Sequence, residues 1–406
     1  MLSFTEARQL VITQSQSCGK PRAALTLPIA EALGHVLAQE IRSDREYPPF
    51  DRSTRDGYAV RAEDASQGGQ VHCVGEIKAG DTVSEPLAPG TCVQIMTGAA
   101  VPPGADAVVM IEFTERNGDA ITFARPTQLG QNIVPRGSEA HAGDLALSPG
   151  LRLGYAELAV AAQVGATSLQ CHPKPRVAIL STGDEVVPIT DTPGPFHIRN
   201  SNTVSLSAQV QLAGGEPVPL LNARDLVDDL AAKIDQGLRE DILVLSGGVS
   251  MGKYDLVESV LKGMGAEFFF DAVALRPGKP TVFGRCSNTL VFGLPGNPVS
   301  TMVTFLLFVV PAIDILSGAP ARPLPLLEAT LAEGIKEKAG LTHFLPARVE
   351  WVQPSALSPE VRPLRWQGSG DIATLTRANC FLVVPADQPS INAGDKVSVL
   401  PRFDVL

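Results

Sequence analysis

Apolar positions fall into different rhythms along this chain, and the changes of rhythm divide it. The opening MLSFTEARQLVITQ has helical spacing, with Ser3 and Glu6 placed as a capping box. A second helix is expected from Pro28, with Ile29, Leu33, Val36 and Leu37 on one face. Tyr47-Pro48-Pro49-Phe50 cannot continue a helix and marks a boundary. From about residue 51 to 143 the pattern turns to short β-rich runs (Val71 to Val74, Cys92 to Met96, Ala107 to Ile111, Ala120 to Phe123) separated by Gly, Pro, Asn and Asp turns. Gly154 to Val164 is helical again and is expected to pack back on the first helices. Residues 176 to about 317 alternate strand and helix, and the remainder returns to short strands.

This pattern predicts a multidomain α/β and β protein. Its expected units are a discontinuous helical domain (1–45 plus 144–174), a β-rich insertion domain (46–143), an α/β domain (175–318) and a C-terminal, barrel-like β domain (319–406).

Three stretches of the α/β unit share one design. Val177 to Leu180 runs into Ser181-Thr182-Gly183-Asp184-Glu185, Ile242 to Leu245 into Ser246-Gly247-Gly248-Val249-Ser250-Met251-Gly252, and Leu290 to Phe292 into Gly293-Leu294-Pro295-Gly296-Asn297-Pro298-Val299-Ser300. Parallel strands point their carboxyl ends at one edge of the sheet, so the three turns should meet at a crevice lined by free backbone N–H groups. Such a crevice suits a small anion.

Composition narrows the classes. The chain has 406 residues, 44% hydrophobic and 19% charged, with a formal charge of −10. That balance fits a soluble multidomain protein and argues against a nucleic-acid binder. The six cysteines are scattered without a C-x-x-C pair, which indicates neither a zinc site nor a disulfide framework and fits a cytoplasmic protein. The opening carries no basic leader or apolar signal core. The apolar stretch Met302 to Ile315 is short for a membrane span and contains Pro311 and Asp314, so a buried core helix is expected and no membrane contact.

Candidate chemistry lies in the turns. Gly247, Gly248 and Gly252 let backbone amides approach an anion, and Ser250 adds a hydroxyl, although the same residues also make plain turns. The loop matches neither a Walker A sequence nor a dinucleotide G-x-G-x-x-G. Arg276-Pro277-Gly278-Lys279-Pro280 sets two cations around a stiff turn, able to hold an oxyanion or simply to be solvated. Asn297 and Ser300 flank Pro298, a natural first helical residue. Asp184, Glu185, Asp225 and Asp255 accompany these loops, and such oxygen ligands suit Mg²⁺ beside a phosphate. In the insertion, the loops 51–57, 96–99 and 136–139 read by themselves only as polar turns.

Taken in order, PPFDRSTRDGYAV, IMTGA, STGDE, SGGVSMGKYD, RPGKP and GLPGNPVS resemble the MoeA family of molybdenum-inserting enzymes, to which the E domain of gephyrin is related. The likeness spans nearly all of the chain. It implies an elongated four-domain homodimer whose cleft lies between the insertion of one subunit and the α/β and terminal domains of the other, the α/β domain resembling MoaB and Mog. It also implies the reaction: adenylylated molybdopterin and molybdate give molybdenum cofactor and AMP, with Mg²⁺ assisting. The partners implied are the molybdopterin adenylyltransferase and acceptor molybdoenzymes.

Carried over by motif, Asp56, Thr97, Glu185, Asp225 and Asp255 match functional positions of the family, as does Ser369 in Gln367-Gly368-Ser369-Gly370-Asp371. Arg276, Lys279 and Ser369 would form the molybdate pocket, Asp225 and Asp255 would hold Mg²⁺, and Asp56 and Glu185 would position or polarise the attacking group. The chain also departs from the pattern. Arg276 stands where lysine is frequent, and Glu139 where aspartate is. Leu341 and Pro346 occupy positions at which arginines are expected, and Arg348 is the nearest substitute.

Two other functions fit parts of the sequence. An adenylyltransferase would share the α/β fold, but those enzymes show Thr-Gly-Gly-Thr-Gly where this chain has Ser-Gly-Gly-Val-Ser. A non-enzymatic scaffold is the third reading, as in the receptor-clustering role of gephyrin.

Overall fold

The computed structural model describes residues 1–18, 22–248, 256–351, 358–402 and 404–405. At its centre is a six-stranded sheet made of β1 (Arg176–Ser181), β2 (Glu216–Pro219), β3 (Ile242–Ser246), β4 (Glu267–Phe270), β5 (Val282–Cys286) and β6 (Thr289–Leu294), in the order β2-β1-β3-β6-β5-β4. The pairings among β2, β1, β3 and β6 are parallel, and β5 runs antiparallel to both neighbours. Both faces of β1, β3 and β6 are buried, which is why these three strands are nearly continuous apolar runs. Val177, Ile179, Ile242 and Val244 enter one core. Ala178, Leu180, Leu243 and Leu245 enter the other.

The C-terminal unit closes into a five-strand barrel. Strands β7 (Leu327–Leu331), β8 (Thr342–Glu350), β9 (Glu360–Pro363), β10 (Cys380–Val384) and β11 (Lys396–Pro401) run round in the order β8-β9-β7-β11-β10, and pairing of β10 with β8 completes the ring. The two-residue strand Leu275–Arg276 adds in parallel to the start of β8, so the barrel is laddered directly onto the α/β unit. Phe344, Leu375, Phe381 and Leu400 of the barrel share one core with the sheet.

The apolar helix stretch Pro298–Leu316 is long enough to cross a membrane by length and composition, but 78% of it is buried inside the protein, as in a core helix. Its middle, Phe305–Val309, widens to π-helical geometry just before Pro311. Proline has no N–H to offer the carbonyl of Leu307, four residues earlier. Arg8 takes that place: its Nη1 donates to the Leu307 oxygen at 2.7 Å. Burial pulls the Arg8 pKa down, opposed by the Asp314 carboxylate. Arg8→Met should therefore leave a buried acceptor unpaired and cost about 1–3 kcal/mol, read from chemical denaturation. An unchanged midpoint would mean that another donor or water satisfies Leu307.

The N-terminal helix Phe4–Cys18 forms with the expected capping box, Ser3 and Glu6 exchanging backbone and side-chain hydrogen bonds. It packs on Val310–Leu316, and Ala7, Val11 and Cys18 join the α/β core. The second helix expected from Pro28 does not form. Leu25–Pro28 is a strand, Ile29–Glu31 a single 3₁₀ turn, and Val36–Leu37 a second strand, both strands pairing with Ser168–His172. Gly34 adopts φ +77° and Leu33 is 60% exposed, so the apparent apolar face is broken in its middle. The helix Tyr155–Gln163 accordingly packs not on helices but over this small sheet, in a core with Ala32, Leu37, Leu147 and Leu169.

The insertion is a six-stranded sheet ordered Ala107–Met110, Gly57–Val60, Thr91–Ile95, Gln70–Ile77, Ala120–Phe123, Thr114–Asn117. Gly57 has a steric reason to be glycine, since a Cβ there would lie 1.9 Å from the Val109 carbonyl oxygen. That close approach fixes where the preceding residue, Asp56, leaves the sheet.

Candidate active site

The three turns do converge. Ser181, Ser246 and Leu294 are neighbours in register at the carboxyl ends of β1, β3 and β6. Gly247 donates its N–H to the Leu294 oxygen, and Thr182 to the Ser246 oxygen. Gly247 and Gly248 hold φ of +92° and +66°, and a Cβ on either would press against Thr182, at 3.0 and 2.7 Å. Only glycine serves both demands. Asn202, at the start of the helix Ser201–Ala213, joins two of the turns: its Nδ2 donates to Ser246 Oγ and to the Gly296 oxygen, each at 2.7 Å.

Two oxygens in this crevice, Thr182 Oγ1 and Asn202 Oδ1, are buried with no hydrogen-bond partner among the described residues. Buried polar atoms left unpaired are costly, and a donor-bearing ligand would satisfy them. Ser250, Gly252 and Asp255, which the sequence analysis placed in the same loop, lie outside the described residues.

On the β1 side the carboxylates gather. The Asp225 N–H donates to Asp184 Oδ1 at 3.2 Å. Burial first, then the charges of Asp184 and Glu185, raise the Asp225 pKa. The loop that carries Asp225 is held from behind. Asn222 donates to the Gly183 oxygen at 2.9 Å, and Lys233 spans the Asn222 oxygen and Asp229 at 2.6 and 2.7 Å. Lys233 and the Arg224 N–H depress the Asp229 pKa to about 2. Among the described residues no group of three His, Cys, Asp or Glu is close enough to form a ready-made metal cluster.

On the β6 side the barrel enters. Asn297 Nδ2 donates to Ser369 Oγ at 2.8 Å, and the Val299 N–H, in the first turn of the helix, donates to the Ser369 carbonyl at 3.0 Å. The loop bearing Ser369 is closed by Asp371, which accepts from the Gln367 and Thr374 N–H groups. The 276–280 turn packs on the same helix, where a Cβ on Gly278 would stand 2.4 Å from the Thr304 methyl and 3.8 Å from the Ser300 oxygen. Gly278 has φ +115°. Lys279 is exposed, and its carbonyl accepts from Val273 and Thr281. Ser300 itself is buried.

One edge therefore carries, in sequence, the Asp225 cluster, the paired glycines, Asn297 with Ser369, and the Arg276–Lys279 turn. Arg348 does not join them: it sits five residues beyond His343, the strand partner of Arg276, about 17 Å along β8, and pairs with Glu350.

The insertion holds a second group. Asp56 Oδ1 accepts from both the N–H and the hydroxyl of Thr97, at 2.6 and 2.7 Å. These two bonds, the backbone one first, lower the Asp56 pKa against a small opposing effect of desolvation. Arg52 reaches Glu139 at 3.0 Å, and Asp51 accepts from the Arg136 N–H at 2.8 Å, so the three polar loops share one end of the sheet. Among the described residues no hydrogen bond or ion pair links this group to the α/β edge. Sequence reasoning did not single out Asn202, Asn222 or Lys233. The polar run Arg199-Asn200-Ser201-Asn202-Thr203 ahead of a helix was the available signal for the first.

Residues 2–165 match the MoeA N-terminal region (domains I and II), 178–314 a "probable molybdopterin binding domain", and 328–402 the MoeA C-terminal region (domain IV). A relative from Bacillus subtilis named molybdopterin molybdenumtransferase is 34% identical over 92% of this chain and 88% of its own. The chain belongs to the MoeA family. A Staphylococcus aureus relative of the same name is 31% identical over 97% of this chain and 94% of its own. The MoeA fold is shared with the crystal structure of a molybdopterin biosynthesis MoeA protein from Pyrococcus horikoshii, at TM-score 0.77, 27% identity, and coverage of 99% of this chain and 100% of that one. An apolar cavity of about 240 Å³, lined by Gln209, Leu212, Met302, Leu324, Phe381 and Leu400 among others, lies where the barrel meets the α/β unit of this MoeA protein. None of its lining residues is a candidate site residue.

Proposed function

We propose that the protein uses molybdate to insert molybdenum into adenylylated molybdopterin, breaking the phosphoanhydride bond to AMP and releasing AMP with the molybdenum cofactor. As a MoeA protein it is a transferase of molybdenum cofactor biosynthesis. The observation that carries the finer reading is the meeting of the three turns, with unpaired buried oxygens at Thr182 and Asn202, beside a barrel loop that brings Ser369 to Asn297. Backbone amides of Gly247 and Gly248 suit a phosphate, and Arg276, Lys279 and the Ser369 hydroxyl suit a tetrahedral oxyanion. Asn297 joins the helix start to that pocket through Ser369, and Ser300 lies buried in the same first turn. Asp56 offers an ionised carboxylate whose Oδ1 is fixed by Thr97, leaving Oδ2 to orient the attacking group with Glu185. Glu139 supports this loop through Arg52.

As the family resemblance implies, the reading includes a homodimer in which the insertion of one subunit completes the cleft of the other. A cytoplasmic protein that meets the molybdopterin adenylyltransferase and acceptor molybdoenzymes is part of it. Incubating the pure protein with adenylylated molybdopterin, Mg²⁺ and molybdate should release AMP in a molybdate-dependent way and activate an apo molybdoenzyme. Consumption of ATP with unmodified molybdopterin would instead identify an adenylyltransferase, and neither activity would leave a scaffold.

Mg²⁺ fits the Asp225 cluster, where burial and the charges of Asp184 and Glu185 raise the Asp225 pKa. Asp225 and Asp255 would hold it, and it would neutralise charge on the phosphates. A raised Asp225 pKa means that the folded protein binds a proton there more tightly than the unfolded chain, so ionisation costs stability as pH rises through that value. A bound cation offsets the cost. Mg²⁺ should therefore raise the thermal midpoint at pH 7.5, less so as pH falls through the raised Asp225 value, and Asp225→Asn should remove most of the increase. An equal increase in Asp225→Asn would place the ion elsewhere.

A further inference from the structure

The segment from Glu337 to Arg348 lacks arginine at Leu341 and Pro346, yet it still reaches the oxyanion turn, by a carboxylate and a buried imidazole. The Glu337 Oε2 lies 3.8 Å from Arg276 Nη1 on one side and 3.2 Å from His343 Nδ1 on the other. The His343 side chain is 1% exposed, against 57% for Arg276. Its Nε2 lies 2.9 Å from the Lys338 carbonyl oxygen, which can only accept, so Nε2 carries a hydrogen and donates. Nδ1 has no hydrogen-bond partner among the described residues, so the ring and the Glu337 carboxylate are in close contact without an aligned bond.

The backbone fixes the same geometry. Arg276 and His343 are direct partners in the ladder between Leu275–Arg276 and β8, the Thr342 N–H donates to the Ala274 oxygen at 3.0 Å, and the Glu337 N–H to the Pro389 oxygen at 2.7 Å. A carboxylate packed beside a buried ring, on a segment whose backbone is pinned, is a fixed point for an otherwise solvated guanidinium. At 3.8 Å the ion pair is loose, so the remaining guanidinium N–H groups stay free to take an oxyanion.

We propose that Glu337, set beside the buried His343, is the positioning residue for Arg276 in this chain, organising the oxyanion pocket. The inference rests on the reading that Arg276 contacts molybdate. It makes a sign prediction that simple charge would not. Removing a carboxylate beside an anion pocket should tighten anion binding by Coulomb's law, whereas loss of positioning should weaken it.

The test measures kcat and the molybdate KM of the full chain, with adenylylated molybdopterin and Mg²⁺, for the wild type, Glu337→Gln, Glu337→Asp, Arg276→Ala and the Arg276→Ala/Glu337→Gln double variant. Glu337→Gln should raise the molybdate KM about fivefold with kcat nearly unchanged, Glu337→Asp should recover part of the loss, and Glu337→Gln should have no further effect once Arg276 is absent. A molybdate KM that falls or stays constant in Glu337→Gln, or that rises equally with and without Arg276, overturns the proposal. Arg276→Ala raising the KM while Glu337→Gln does not would sink this inference alone; Arg276→Ala without effect would remove Arg276 from the molybdate site and the inference with it. Thermal melts of each variant separate misfolding from misplacement, and if Glu337→Gln fails to fold, Glu337→Asp carries the comparison.

Discussion

Asp56→Asn should slow molybdenum insertion by about a hundredfold or more while leaving the fold intact. The amide retains an oxygen to accept from the Thr97 N–H and hydroxyl, so the loop keeps its hydrogen bonds. What is lost is the charge. Thr97 holds the Asp56 pKa below the ordinary carboxylate value, so the group is ionised at neutral pH and acts as an acceptor there. Substitutions at exposed positions with their hydrogen bonds preserved usually change stability by no more than about 0.5 kcal/mol. Turnover with purified protein and a thermal melt are the two measurements. Parallel loss of activity and stability would make Asp56 a structural residue of the insertion loop.

Asp314→Ala should be the most damaging single change to the α/β core. Asp314 is 2% exposed and collects four donors: Arg322 Nη2 at 2.5 Å, Arg322 Nε at 2.8 Å, the Arg322 N–H at 3.0 Å and Arg152 Nη2 at 3.1 Å. Arg152 also donates to the Gly34 oxygen, and Arg322 to the Ala213 oxygen, so this one carboxylate ties the small N-terminal sheet and the strap after Gly318 to the long helix. Burial, and then Arg322, lower the Arg152 pKa, opposed by Asp314. Without the carboxylate two arginines would face each other in a partly dry site. Breaking such a buried pair costs about 3–5 kcal/mol, and the lower end applies because both arginines keep some access to water. The midpoint of the α/β transition should fall by roughly 6 °C or more, at about 2–4 °C per kcal/mol for a cooperative unit of this size. A shift under about 2 °C would show that water replaces the carboxylate without penalty.

Features set by near neighbours in the chain were legible beforehand. The capping box at Ser3 and Glu6 depends on three residues, and each strand-to-turn unit of the sheet is self-contained, so the crevice could be anticipated from the strands alone. The helix expected from Pro28 failed because a spacing pattern does not report which face is buried: Leu33 turned out exposed, and Gly34 left-handed. Contacts set by distant register were not legible. Arg8 answers a vacancy made by Pro311, some three hundred residues away, and Glu337 meets Arg276 only because Leu275–Arg276 joins β8. Motif matching singled out Asp56 and Thr97, whose own sequence reads as a turn; their mutual hydrogen bonds give the physical content that the motif alone lacked.

Closure of the barrel through β8 and β10 has a mechanical side. The same strand, β8, that locks the ring also carries the Leu275–Arg276 ladder, while the covalent tether after Gly318 leaves the α/β unit from the far end of the long helix. The drum is also seated by the shared core of Phe344, Leu375, Phe381 and Leu400 and by the Ser369 bonds to Asn297 and Val299, so it cannot slide or drift away. The serine wall and the cationic wall of the pocket are thus both set by how one drum sits on one sheet, and a tilt of the drum would have to break the Ser369 bonds to the helix start before it could widen the mouth.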